Sequence, residues 1–177
     1  KVDGVQVKYA READISAKHE GYINTGSVSA AISAGVGGGS VGAGFVYGSN
    51  QEQSRTNAEV NNSNITAASK SGSALNVTAD SKSELRQNLL AVGVAANFDP
   101  YSPGIAISGS MGWNDLQALT SVNVADSTLA ADKIDILSRQ DSKGISLIGG
   151  VAGGSWVGVG ASISKTDFTD KVNTNVT

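Results

Sequence analysis

The chain contains no cysteine, which excludes disulfide staples and thiolate metal sites. Aromatic residues make up only 5% of 177 residues, and methionine occurs once. A globular core of this length would draw on more Phe, Met and Leu, so the apolar residues must be buried as thin rows of small side chains. Charge is sparse and balanced, with 13 basic and 16 acidic residues and a net charge of −3. The basic residues are scattered, which argues against nucleic acid, a partner that needs a concentrated cationic face. No apolar run approaches the roughly 20 residues of a membrane-spanning helix, so no membrane span is expected. A single histidine, His19, has no second His or Cys to complete a metal or nucleophile site, and reads as a solvated residue at a turn.

What the chain has in abundance is repetition. Residues 120–131, TSVNVADSTLAA, reprint residues 56–67, TNAEVNNSNITA, at an offset of 64. That offset pairs Thr56 with Thr120, Val60 with Val124, Ser63 with Ser127, Ile65 with Leu129 and Ala67 with Ala131. It also carries the preceding glycine-rich run onto its copy, placing Val41 on Ile105, Gly48 on Gly112 and Asn50 on Asn114. A third, truncated copy follows, in which Val157-Gly-Val-Gly160 answers Val41-Gly-Ala-Gly44 and Val176 answers Val60. The copies fall at about 1–67, 68–131 and 132–177, and the chain reads as one solenoid fragment of a longer repetitive protein.

Local patterns point to strands. Val5-Gln-Val-Lys-Tyr9 and Asp14-Ile-Ser-Ala-Lys18 alternate apolar and polar, with a turn near Arg11-Glu12. The alternation returns in Leu75-Asn-Val-Thr-Ala79 and Ile134-Asp-Ile-Leu-Ser138, each followed by an Asp-Ser-Lys triplet at 80–82 and 141–143, read as recurring turn residues. From Gly26 to Gly48 the 22 glycines of the chain are densest, which disfavours helix at about 1 kcal/mol per interior glycine and permits close approach of backbones. The polar run from Gln51 to Asn57 fits a solvent-facing edge or turn. Leu85, Leu89 and Val92 have helical spacing, but the glycine- and β-former-rich copies of that segment argue for strand.

Dividing the repeat by three gives about 21 residues per rung, close to the coil of a parallel β-helix. The expected fold is therefore all-β, a parallel β-helix of roughly eight rungs and on the order of 40 Å.

Residues 75–79, 120–131 and 158–162 (GVGAS) resemble the long repeats of secreted bacterial exoproteins, the filamentous haemagglutinin-like adhesins of two-partner secretion and the related leukotoxin-type proteins. The resemblance implies a right-handed parallel β-helix, displayed on or secreted from a Gram-negative-type cell and acting as stalk or adhesive surface. It implies as partners a host or neighbouring-cell glycan or protein, and an outer-membrane transporter during export. The amino-terminal secretion motif of that family does not occur in this sequence.

No constellation of catalytic residues emerges, so no enzyme activity, metal or cofactor is expected. The alternatives are a carbohydrate-active β-helix enzyme, which would need a charged cleft around residues such as Asp80, Lys82, Asp141 and Lys143, and a repetitive surface-binding module, which would need ranks of identical Thr or Asp. Departures from the repeat are the best candidates for specificity. The largest is the run 97–104, NFDPYSPG, which holds both prolines and has a bland counterpart in Gly35-Val-Gly-Gly-Gly39. Phe98 and Tyr101 offer stacking faces there and Asp99 an acceptor, and Trp113 is a fourth candidate for partner binding.

Overall fold

The computed structural model describes residues 1–69 and 71–177. The described chain is all-β, a parallel β-helix whose strands β1 to β10 fall into three parallel sheets. One broad sheet is ordered β1(Val2–Asp3), β4(Ser40–Asn61), β7(Gly104–Ala125), β10(Val157–Val176). The other is ordered β3(Glu12–Gly35), β6(Ala74–Asn97), β9(Lys133–Gly154), and a narrow third is ordered β2(Gln6–Tyr9), β5(Asn64–Ala67), β8(Thr128–Ala130).

Each coil runs through a short strand, out along a long strand of the second broad sheet, around a tip, and back along a long strand of the first. The two broad sheets therefore lie face to face as a blade that projects from a three-sheet root. Strands of 22 to 24 residues make that blade about 70–80 Å long at roughly 3.3 Å per residue.

The rung is the main correction to the sequence reading. Glu12 lies beside Ala74, Ser40 beside Gly104, and Ala74 beside Lys133, so one turn of the coil takes about 60 residues rather than 21. The repeat found in the sequence is one whole coil, and the expected corners inside it are absent because each glycine-rich run continues straight through a long strand. Just under three coils at about 4.8 Å spacing extend only some 15 Å along the axis, far less than the 40 Å expected. The pairing of repeat copies holds: Val41, Ile105 and Val157 form one ladder, and Val60, Val124 and Val176 another. The bend after β4 also repeats, with Asn62 and Asp126 both left-handed at φ 48 and 49.

Three further readings change. The run from Gln51 to Asn57 is neither an edge nor a turn but lies inside β4, where Gln51, Gln53 and Arg55 face solvent as expected while Glu52 and Thr56 point inward and are buried. His19 is not at a turn but inward-facing in β3. The Asp-Ser-Lys triplets are strand residues, and they do not pair in register: Asp80 lies beside Arg139, Lys82 beside Asp141, and Glu84 beside Lys143. Slipped by two residues, the copies juxtapose opposite charges across strands, which in-register copies would not. The helical spacing of Leu85 and Leu89 is resolved by parity, since residues four apart also share one face of a strand, and both are buried in β6.

The interior changes character along the blade. At the root, where all three sheets meet, Val60, Ile65, Leu75, Val77, Val122 and Val124 are buried together. Each contributes about 1.5–3 kcal/mol by burial. Midway buried polar groups stand between two smaller apolar clusters, Leu85, Leu116 and Ala118 on the root side and Val46, Leu89 and Ala91 on the tip side. The buried Asn50 donates from Nδ2 to Asn114 Oδ1 at 2.9 Å and to the Arg86 carbonyl at 3.2 Å, and accepts from Thr25. Asn114 in turn donates to Ser146 Oγ at 2.6 Å, so a single amide column ties both sheets and successive coils.

Toward the tips the side-chain layer disappears. A Cβ on Gly42 or Gly44 would overlap the carbonyl oxygens of Val94 and Val92 in the facing sheet, and one on Gly93 would sit 2.5 Å from the Ile107 oxygen. Gly158 and Gly160 meet the Ala152 and Gly150 oxygens in the same way, at 2.6 and 2.5 Å. Facing sheets usually stand about 10 Å apart with two side-chain layers between them, and here glycine removes one layer in alternation.

Gly44→Val should therefore lower the thermal midpoint by the equivalent of about 3 kcal/mol or more, whereas Gly26→Ala, which meets no atom within 4 Å, should be neutral or slightly stabilising. Thermal unfolding followed by circular dichroism checks both; equal effects would mean that the sheets are not in close approach.

Candidate functional site

The proline-containing run forms the tip of the second coil, between β6 and β7. Its residue types dictate a tight, self-bonded turn. Asn97 Oδ1 accepts from the Asp99 amide at 3.1 Å, Asp99 Oδ1 from the Tyr101 amide at 3.0 Å, and Asp99 Oδ2 from the Ser102 hydroxyl at 3.1 Å. These are side-chain turns of the kind Asn and Asp favour, and the two prolines cut the unfolded freedom of the loop. The loop is also fastened to the first tip. The Gly38 amide donates to Ser102 Oγ at 3.2 Å, the Ser40 amide to the Pro103 carbonyl at 2.9 Å, and the Phe98 amide to the Gly35 carbonyl at 3.2 Å. Gly37 and Gly38 supply positive φ angles of 72° and 99° for the turn beneath it.

The four sequence candidates do not form one site. Phe98 and Tyr101 project into solvent, 75% and 89% exposed. Asp99 has both carboxylate oxygens engaged within the loop, so it shapes the tip rather than offering an idle acceptor. Trp113 lies nine residues into β7, about 30 Å from the tip, on the outer face of the blade. There Lys165 Nζ stands 4.5 Å from its ring centroid, a cation–π contact between neighbouring strands.

Two residues join the tip that the sequence reading did not place there. Trp156, 61% exposed, lies in the short turn between β9 and β10, where its amide bonds the Gly104 carbonyl at 3.1 Å. Val36, 85% exposed, lies in the first tip. Register stacks the three tips, with Gly35 beside Asn97 and Ala95 beside Gly154. The sequence hid Trp156 because the third tip is shorter than the second, so an alignment made on strands leaves it without a partner.

Two other polar groupings lie along the blade. His19 Nε2 is 3.2 Å from Glu52 Oε1, and the buried Ser83 hydroxyl donates to the same oxygen at 2.6 Å. Serine and imidazole share the carboxylate instead of bonding each other, so this is not the nucleophile–base–acid order of a hydrolytic triad. On the outer face of the second broad sheet, Lys18, Asp80 and Arg139 form one charged row and Glu20, Lys82 and Asp141 the next. Beside them the Arg86 hydrogen bond to Glu84, 2.6 Å, holds that carboxyl below the usual range. The rows neutralise themselves, and among the described residues no group of three potential metal ligands gathers.

If Asp99 is an organiser, Asp99→Ala should accelerate amide exchange at Tyr101, whose amide bonds the carboxylate, by about tenfold while lowering stability by about 1 kcal/mol or less. Unchanged exchange at that amide, read by hydrogen–deuterium exchange, would contradict the role.

Comparison of the chain with family models, with curated proteins and with solved structures found no match in any of the three.

Proposed function

We propose that the chain is a structural and adhesive segment of a secreted bacterial surface filament, in which stacked coils form a stiff body and the coil tips make contact with a cell surface. The observation that carries this reading is the division of labour along each coil. The roots and mid-blade hold the buried apolar cluster and the amide column, whereas the tips hold Val36, Phe98, Tyr101 and Trp156, exposed and without internal packing duties. The resemblance to filamentous haemagglutinin-like repeats supports the same reading, and export through an outer-membrane transporter goes with it. The mechanism is geometric: continuous parallel ladders hold the tips in one row, so weak contacts made by successive coils add along a rigid support.

The test is binding of the protein to cultured cells, comparing the native chain with Phe98→Ala/Tyr101→Ala, both shown to be folded by circular dichroism. At least tenfold weaker binding by the double variant is expected. Equal binding by the two would remove the tip from the account and leave the segment as a spacer.

A further inference from the structure

The blade ends in an apolar surface that wraps around it. At the tips stand Val36, Phe98, Tyr101 and Trp156. Behind them the outer face of one broad sheet carries the exposed ladder Val41, Ile105, Val157, and the outer face of the other carries Ile32 beside Val94 and Val92 beside Val151. A shallow apolar depression of about 290 Å³, lined by Val28, Leu90 and Leu147 among others, continues that second face. Formal charge is missing from the same region. Residues 21–51 and 144–164 contain no Asp, Glu, Lys or Arg, and residues 87–114 contain only Asp99, whose carboxylate is consumed by its own turn.

We infer that the tips dock into a lipid bilayer, hairpin turns first. The shape and chemistry favour lipid over a folded partner. A convex edge that is apolar on both faces and at its end cannot be covered by one protein surface, whereas a fluid covers all three sides. A glycan would be met by an array of free polar groups, and the Asn97, Asp99 and Ser102 side chains of the second tip are already bonded to one another, with Ser102 and Asn97 also bonded to Gly38. Trp and Tyr side chains are the residues that favour the membrane–water interface. Tyr101 and Trp156 set the depth, because their amphipathic rings settle at the headgroup level. The tips therefore enter the headgroup and upper acyl region, about 5–10 Å, and the blade stands on the surface.

This inference rests on the reading of the tips as the contact surface, and names what they contact. The experiment uses the full chain and phosphatidylcholine vesicles carrying no protein or glycan. Flotation should carry the protein with the vesicles. In Trp113→Phe, which keeps Trp156, the indole emission should shift to the blue and be quenched by lipid brominated near the headgroup end of its acyl chains; in Trp156→Phe, which keeps Trp113, it should do neither. Phe98→Asp/Tyr101→Asp should weaken vesicle binding by about tenfold or more, while Phe98→Leu/Tyr101→Leu keeps most of it. Failure of the native chain to float overturns the inference, as does equal quenching of Trp113 and Trp156, which would mean that the blade lies flat. Binding to cells or a glycan array that depends on Phe98 and Tyr101, without vesicle binding, would overturn the lipid assignment while leaving the tips as a contact surface.

Discussion

The constraint on which the rest of this structure depends is the approach of the two broad sheets toward the tips, glycine backbone against the carbonyl oxygens of the facing strands. It is met only because Gly42, Gly44, Gly93, Gly158 and Gly160 present no Cβ to the carbonyl oxygens opposite. Dispersion over many close contacts replaces the usual thick hydrophobic core, which explains how a chain so poor in large apolar side chains sustains long strands. It also explains the outer faces. A blade this thin has almost no interior to hide apolar residues in, so Phe45, Tyr47, Ile105 and Leu147 remain outside.

Register is the second requirement, because parallel strands of more than 20 residues could slip by two without changing which face is buried. The Asn50–Asn114 bond answers this, since an amide moved by two residues would lose a buried partner and leave donors unpaired. Gln87 acts similarly through shape: it is wholly buried, and a Cβ at either Gly48 or Gly112 would run into its amide. The root core and the left-handed bends at Asn62 and Asp126 then fix where each coil turns.

Much of this was legible in the sequence. Period-2 alternation gave the strands, and the 64-residue offset gave the true neighbours Val41–Ile105 and Asn50–Asn114. What misled was the length of a rung. Composition does not mark the difference between a glycine that breaks a strand and one that thins a sheet pair; only the carbonyl facing Gly44 decides it. The charged triplets misled for a related reason, because identity between copies suggested equal position, whereas cross-strand pairing places Lys82 beside Asp141. Of the candidate site, Phe98 and Tyr101 were readable as a departure from the repeat. Asp99 needed its hydrogen bonds to show its role, Trp113 needed the third dimension to be separated from the loop, and Trp156 needed it to be joined.

The blade, its thin interior and its row of tips all follow from the long-strand coil. The most direct measurement is the distance between spin labels at Asp14 and Ala34, both on the outer face of β3 and 20 residues apart along one strand. An uninterrupted strand puts them about 65 Å apart. A distance under about 20 Å, as stacked rungs of about 21 residues would give, would contradict it.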